Sequence, residues 1–171
     1  MKSKEIILIP IFNDCESVKR LLLEINNTIQ NIKNCEFRCI VVNDSSNIKQ
    51  PKILKPLSIK SIKIINMKEN RGHARCNAFG IRHIVSKENF DYVILMDGDG
   101  EDRPIEIKYL VDEISKNPNN SVVAKRVKRS EGPIFQLMYQ MHKLLTYIFT
   151  GKKINFGNFS CLTKSDISIL F

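Results

Sequence analysis

Val93-Ile-Leu-Met96 is an unbroken apolar run that ends directly on Asp97-Gly98-Asp99-Gly100-Glu101-Asp102. A segment such as Tyr92 to Met96 has the length and composition of a strand buried on both faces, and such strands belong to parallel sheets covered by helices. In open α/β sheets ligands bind beyond the carboxyl ends of the strands, so the four carboxylates stand where a ligand is expected. If the backbone stays extended, Asp97, Asp99 and Glu101 project the same way. Gly98 and Gly100 then let a bulky anion approach the backbone while the carboxylates hold a hard cation against it. A solvated acidic turn is the plain alternative, because Asp and Gly are ordinary turn formers.

The same arrangement recurs upstream. Glu5-Ile-Ile-Leu-Ile-Pro10 reads as a first strand followed by Phe12-Asn13-Asp14. Asn13 with Glu16 has the form of a capping box, and Val18, Leu21, Leu22 and Ile25 recur at helical spacing, which predicts a helix from about Cys15 to Ile29. Phe37 to Val42 is a second strand that ends in Asn43-Asp44-Ser45-Ser46. Residues 47 to 60, with two prolines and four lysines, read as a surface connection. Ser61 to Asn66 alternates as a third strand, placed near an edge because its lysines need solvent. Asn70-Arg71-Gly72 then opens a second helix, with Asn70 as its cap. Its amide-rich start, flanked by Arg71, His73 and Arg75, suits phosphate oxygens, although an ordinary capped helix with basic solvent residues accounts for it equally well.

Pro104 to Ile114 reads as a helix with Pro near its first position. Ser121 to Ala124 is a short fifth strand that runs into Lys125-Arg126-Val127-Lys128-Arg129. That run suits bound phosphate, with a solvated loop or a nucleic-acid patch as the generic alternatives. Pro133 to Thr150 carries an apolar stripe at helical spacing and is amphipathic rather than spanning, since polar residues interrupt a length already marginal for a bilayer. Strands alternating with helices predict a doubly wound, mostly parallel α/β sheet flanked by helices, with residues 1–171 forming one domain.

Composition excludes several classes. Five cysteines are odd in number and lack Cys-x-x-Cys spacing, so they read as reduced thiols. His73 and His83 have no partners at zinc-ligand spacing. The apolar stretch Ile6 to Ile11 is too short for a secretory signal, so the N-terminus is expected to be cytosolic. A formal charge of +9 implies an anionic partner without choosing between nucleic acid, an acidic membrane and a phosphorylated substrate. Neither Gly-x-Gly-x-x-Gly after the first strand nor a P-loop is present, which disfavours dinucleotide oxidoreductases and P-loop hydrolases. What remains is Asp-x-Asp chemistry, in which carboxylates hold Mg²⁺ or Mn²⁺ and the cation neutralises a departing diphosphate.

Five motifs in order carry a family resemblance. Ile9-Pro10-Ile11-Phe12-Asn13-Asp14 resembles the opening "VPVYNE" of family 2 glycosyltransferases. Val42-Asn43-Asp44-Ser45-Ser46 resembles their "VDDGS", and Asn70-Arg71-Gly72 with Ala78 and Gly80 resembles their "N-x-G…A…G". Met96 to Pro104 with Glu106 is similar to the "MDADLQDPPE" block of the polyprenyl- or dolichyl-phosphate sugar synthase branch, and Val122 to Arg129 is similar to its "VVGSRVKR". The resemblance implies a GT-A fold and transfer from a UDP- or GDP-linked sugar to a polyprenyl phosphate or glycan acceptor, with inversion. It also implies peripheral contact with an anionic membrane at its cytoplasmic, inner face, and no nucleic-acid partner.

Carried over by position, Pro10, Phe12 and Asp14 border the base pocket and Asp44 contacts the nucleoside, with Asn70, Arg71 and Gly72 on the same nucleotide-sugar site. Asp97 serves the nucleotide and the cation, Asp99 the cation, and Glu101, in the position of the family's Gln, is an additional metal ligand. Arg126 and Arg129 hold diphosphate or acceptor phosphate. Three departures stand out. Asn43 and Ser45 alter the second motif. Gly157-Asn158-Phe159-Ser160 stands where many relatives of that branch have Gly-Asp-Phe-Arg, so a hydroxyl acceptor would have to use Glu101 or Asp102 as its base, whereas a phosphate acceptor needs none. The chain ends at Phe171 where those relatives continue into amphipathic or spanning helices, which suggests a C-terminal truncation or a reduced protein that meets the membrane through its basic surface. The competing expectation is a catalytically degenerate module that binds nucleotide or an anionic surface.

Overall fold

The computed structural model describes residues 2–47, 58–125 and 158–169. In chain order the elements are β1 (Ser3–Ile11), α1 (Cys15–Ile29), β2 (Cys35–Asn43), β3 (Ser61–Asn66), α2 (His73–Lys87) and β4 (Tyr92–Leu95). A 3-10 turn (Pro104–Glu106), α3 (Ile107–Lys116), β5 (Val122–Val123), β6 (Ser160–Thr163) and α4 (Lys164–Ile169) follow. Most of the expected connection at 47–60, together with Arg126, Arg129 and the amphipathic segment from 133 to 150, lies outside the described residues.

The strands form one six-stranded sheet in the order β3-β2-β1-β4-β6-β5. β3, β2, β1 and β4 are mutually parallel, while β6 runs antiparallel to β4 and β5 antiparallel to β6. Because β1 is flanked by β2 and β4 and covered above and below, Ile6, Ile7, Leu8 and Ile9 have no solvent exposure. This explains why its sequence shows no polar alternation. Side-chain parity divides the run between two cores. Ile7, Ile9 and Ile11 pack with Val18, Leu21, Leu22 and Ile25 of α1 and with Ile107, Leu110, Val111 and Ile114 of α3. Ile6 and Leu8 pack on the other face with Cys76, Ile81 and Ile84 of α2 and Ile167 of α4. Each of these fully buried aliphatic chains contributes roughly 1.5–3 kcal/mol of apolar burial.

β3 does lie at the sheet edge, and its alternating exposure lets Lys63 reach Glu88 at 3.3 Å. The chain leaves β1 for β2 and β3 on one side, then returns to place β4 on the other. That reversal between β1 and β4 is the topological switch point, the position at which sheets of this kind bind ligands.

Candidate active site

Four loops meet at the carboxyl edge of the parallel strands, and hydrogen bonds tie them together. After β1, Asn13 takes a left-handed conformation with φ 53°. Its backbone N–H donates to Ser46 Oγ at 2.8 Å, and its side-chain oxygen accepts from the Asn47 N–H at 2.8 Å. The α1 cap therefore moves one residue beyond the expected Asn13. Asp14 takes that place, its Oδ1 accepting from Ser17 N–H at 3.2 Å. Phe12, two residues earlier, stands 48% exposed as an apolar surface in the same loop.

After β2, Asn43 is buried and braces its neighbours. Its Oδ1 accepts from the Ser46 N–H at 3.1 Å and also receives the Ser46 hydroxyl, while its Nδ2 donates to Asn66 Oδ1 at 2.9 Å. An amide carries donor and acceptor together, which a carboxylate at this position would not. Asp44 is 3% exposed. Its N–H donates to Ile11 O at 2.8 Å, and its two carboxylate oxygens accept from the N–H groups of Arg71 at 2.9 Å and Gly72 at 2.8 Å.

The start of α2 departs from expectation in its cap. Its cap residue is Gly72, at φ 83° and without a side-chain cap bond, rather than Asn70. Asn70 Oδ1 only braces the loop by accepting from the Gly72 N–H at 3.2 Å. The Arg71 and Gly72 amides just before the helix are engaged by the Asp44 carboxylate, which sets an anion at the start of the helix. The Arg71 side chain folds onto Glu69, with its Nε 2.8 Å from Oε1.

At the end of β4 the backbone turns at Gly98 and Gly100 instead of staying extended, so the expected alternation of Asp97, Asp99 and Glu101 along one face is absent. Asp99 Oδ1 accepts from the Glu101 N–H at 2.9 Å. Gly98 is required by contact, since a Cβ there would lie 2.8 Å from the Pro10 carbonyl oxygen. Asp102, expected as a candidate base, is buried, and its Oδ2 accepts from the Asp97 N–H at 2.9 Å. It braces the loop that carries Asp97.

Asp97 itself meets two side chains from distant parts of the sequence. Its Oδ1 lies 3.2 Å from His73 Nε2 and 3.4 Å from Asn158 Nδ2, and those two nitrogens are 3.0 Å apart. The Asn77 amide is 2.9 Å from the same His73 nitrogen. His73 is the first residue of α2, and Asn158 stands just before β6. Sequence reading placed His73 only among basic residues near a helix start, and the Asn158 contact with Asp97 had no local signal because 61 positions separate the two.

Among the described residues, no group of three or more His, Cys, Asp or Glu side chains converges in a way that could hold a metal ion. The acidic loop thus does not form a closed cage. One or two carboxylates with substrate phosphates completing the shell is the usual arrangement for Mg²⁺, and Asp97 and Asp99 fit that donor set. The cysteines are all free, and burial pushes the Cys39 and Cys76 thiols up to about 12, far from a nucleophilic thiolate. Among the described residues no helix is long and apolar enough to cross a membrane.

Comparison with known proteins agrees with this geometry. The family described as glycosyl transferase family 2 matches residues 6–168. A curated relative, the uncharacterized protein MJ0544 of Methanocaldococcus jannaschii, is 23% identical over 124 residues, covering 71% of this chain and 51% of that protein. The mannosyltransferase PcManGT from Pyrobaculum calidifontis, solved in complex with GDP-Man and Mn²⁺, superposes with a TM-score of 0.65 at 14% identity, over 99% of this chain and 47% of that one. S. aureus TarS 1-349 in complex with UDP-GlcNAc gives a TM-score of 0.57 at 17% identity, over 77% of this chain and 36% of that one. The chain spans about half the length of the curated relative it matches.

Proposed function

Since the chain belongs to glycosyl transferase family 2, we propose that it transfers a sugar from a UDP- or GDP-linked donor to a polyprenyl phosphate or glycan acceptor with inversion, assisted by Mg²⁺ or Mn²⁺. The observation that carries this reading is the position of Asp97 and Asp99 at the end of β4, beside the β1/β4 switch point, in a fold shared with a solved mannosyltransferase and with a protein solved with UDP-GlcNAc. Pro10, Phe12 and Asp14 border the base, and Asp97 and Asp99 face the diphosphate with Glu101 beside them. Asp44 contributes by fixing the Asn70-Arg71-Gly72 loop. Arg126 and Arg129 are assigned to phosphate from the sequence alone. A bound divalent cation would supply charge neutralisation of the departing diphosphate.

In an inverting transfer, the acceptor oxygen attacks the anomeric carbon as the bond to the diphosphate breaks on the opposite side. A hydroxyl acceptor must lose its proton to a base, whereas a phosphate acceptor is already ionised at neutral pH. Asp102 is buried and bonded to the Asp97 N–H, and Asn158 is not a base, so exposed Glu101 is the base left to a hydroxyl acceptor, whereas a phosphate acceptor needs none. A polyprenyl phosphate would bring the protein to the inner face of an anionic membrane, in keeping with the +9 charge.

Incubation with a panel of UDP- and GDP-sugars and Mn²⁺ is expected to give donor binding and slow hydrolysis, with transfer when polyprenyl phosphate is added. Asp99→Ala is expected to abolish turnover. Inertness of the unmodified chain across the panel would overturn the proposal, and binding without turnover under any acceptor would favour a degenerate nucleotide-binding module, which the amide at Asn158 also fits.

A further inference from the structure

We infer that Asn158 sets how the site holds its cation: its amide N–H donates to Asp97 Oδ1 and competes with a metal for that carboxylate oxygen, while the His73 ring nitrogen beside it helps hold the amide in place. The inference rests on the reading above, in that the cation is the one that would accompany a nucleotide diphosphate. Asn158 is a positioning and specificity residue that acts through Asp97.

The clamp is assembled from three elements that are each fixed independently. Asp97 follows β4, and its own N–H is held by Asp102. His73 begins α2, whose entry loop is pinned by Asp44. Asn158 precedes the buried Phe159, whose carbonyl accepts from the Ala124 N–H at 2.9 Å, and its own carbonyl accepts from Ser160 Oγ at 2.9 Å. The Asn158 amide therefore lies 3.4 Å from Asp97 Oδ1 and 3.0 Å from the His73 ring nitrogen, which is itself 3.2 Å from that oxygen. Asp97 is partly shielded, with its side chain 21% exposed, so a competing N–H is less easily replaced by water than at an open surface.

An N–H held on Asp97 Oδ1 occupies one of the lone-pair directions a cation would use, so a cation approaching that oxygen meets a competing donor. The consequence is a site that satisfies Asp97 in the donor-free protein and takes up a cation well only when diphosphate oxygens accompany it. An aspartate at position 158 would reverse this. Its carboxylate would stand where the amide nitrogen now lies, beside Asp97 Oδ1, and the two acids would repel each other unless a cation lay between them. Divalent-cation affinity rises with the number of ligand charges. The identity of residue 158 thus decides between a site that binds metal on its own and one that binds it together with nucleotide.

The test is a Mn²⁺ titration of the full chain, followed by the electron paramagnetic resonance signal of free Mn²⁺, without nucleotide and then with GDP or UDP. N158D is expected to bind Mn²⁺ about tenfold or more tightly than the unmodified chain in the absence of nucleotide, through the added ligand charge. Adding D97N to N158D should cancel the gain. N158A, which removes the competing donor without adding charge, should bind Mn²⁺ slightly more tightly than the unmodified chain, and it serves if N158D fails to fold. An unchanged or weaker affinity in N158D, persistence of its gain with D97N, or a marked loss in N158A would each overturn the inference, the last by showing the amide oxygen to be a ligand. Nucleotide-sugar binding by the unmodified chain is measured separately. Its failure would overturn the transferase reading, while the nucleotide-free Mn²⁺ contrast still judges this one.

Discussion

Two buried carboxylates lie at opposite ends of the parallel strands, and the protein treats them in opposite ways. Asp44, at the carboxyl edge, is 3% exposed and has a backbone N–H on each oxygen. Glu5, at the amino edge of β1, is 1% exposed. Its Oε1 receives the Ser3 hydroxyl at 2.9 Å, but its Oε2 has no hydrogen-bond partner. Burial, reinforced by nearby Asp91, pushes the Glu5 carboxyl from an ordinary 4.5 up to about 7, with the Ser3 bond opposing the shift. Helix starts and loop amides face the carboxyl edge, so an anion placed there finds donors. The amino edge offers Glu5 mostly burial and neighbouring acid. The difference teaches why the chemistry gathers at one edge only: the backbone's own polarity accommodates negative charge there before any side chain is chosen.

The sharpest way to break this contrast is Asp44→Ala. It would leave the Arg71 and Gly72 N–H groups without their acceptor and detach the loop from β2. Two charge-assisted bonds imply a loss of about 4 kcal/mol. Urea denaturation should show a correspondingly lower midpoint, and nucleotide-sugar affinity should fall with it. Asp44→Asn keeps one acceptor and is expected to lose about half as much. A cost below about 1 kcal/mol for the alanine variant would mean that the loop is held by something else.

Glu5 gives the next largest effect, with the opposite sense. Its folded-state value lies above the unfolded one, so its contribution is fully present below pH 4.5, declines between pH 4.5 and 7, and is lost above. The shift corresponds to about 3 kcal/mol across that window. Glu5→Gln should remove the decline and stabilise the protein near pH 8 by up to about 3 kcal/mol, less whatever the new amide loses by lacking partners. Denaturation midpoints of both proteins at pH 5 and pH 8 check this. Parallel pH profiles would show that Glu5 is ionised without penalty and that the two edges do not differ.

Much of the fold was legible because β1, β2 and β4 are read by continuous burial and α1 by its period. The predicted bounds of α1, Cys15–Ile29, and of β3, Ser61–Asn66, coincide with those observed. The caps were displaced for a shared reason. Asn13 and Asn70 have the right chemistry for local capping, but each is engaged by loop partners, and caps then fall to Asp14 and Gly72. The acidic loop was placed correctly on the sheet and wrongly in its backbone, because two glycines permit a turn as readily as an extended run. His73 and Asn158 were hidden for a different reason. Asn158 meets Asp97 through the sheet order, which sets β6 beside β4, and His73 through the packing of α2 on the sheet, and nothing local in the sequence fixes either.

The two glycines of the acidic loop sharpen the account of the carboxyl edge at smaller cost. Gly98 lies against β1. A Cβ there would sit 2.8 Å from Pro10 O and 3.0 Å from Ile11 Cγ2, and a strand carbonyl cannot turn aside as a side chain can. Gly98→Ala should therefore push the ends of β1 and β4 apart at a cost of about 2 kcal/mol. Because Asp97 and Asp99 flank it, nucleotide-sugar affinity should drop as well. Gly100 has nothing within 4 Å of a built Cβ, and only its φ of 85° resists substitution. Gly100→Ala is expected to cost about 1 kcal/mol through backbone strain, with nucleotide-sugar affinity changed less than by Gly98→Ala. Denaturation and nucleotide-sugar titration of both variants separate the two effects. If Gly100→Ala proved the more damaging, the register of the acid pair would be governed by the turn itself and not by the close approach of Gly98 to β1.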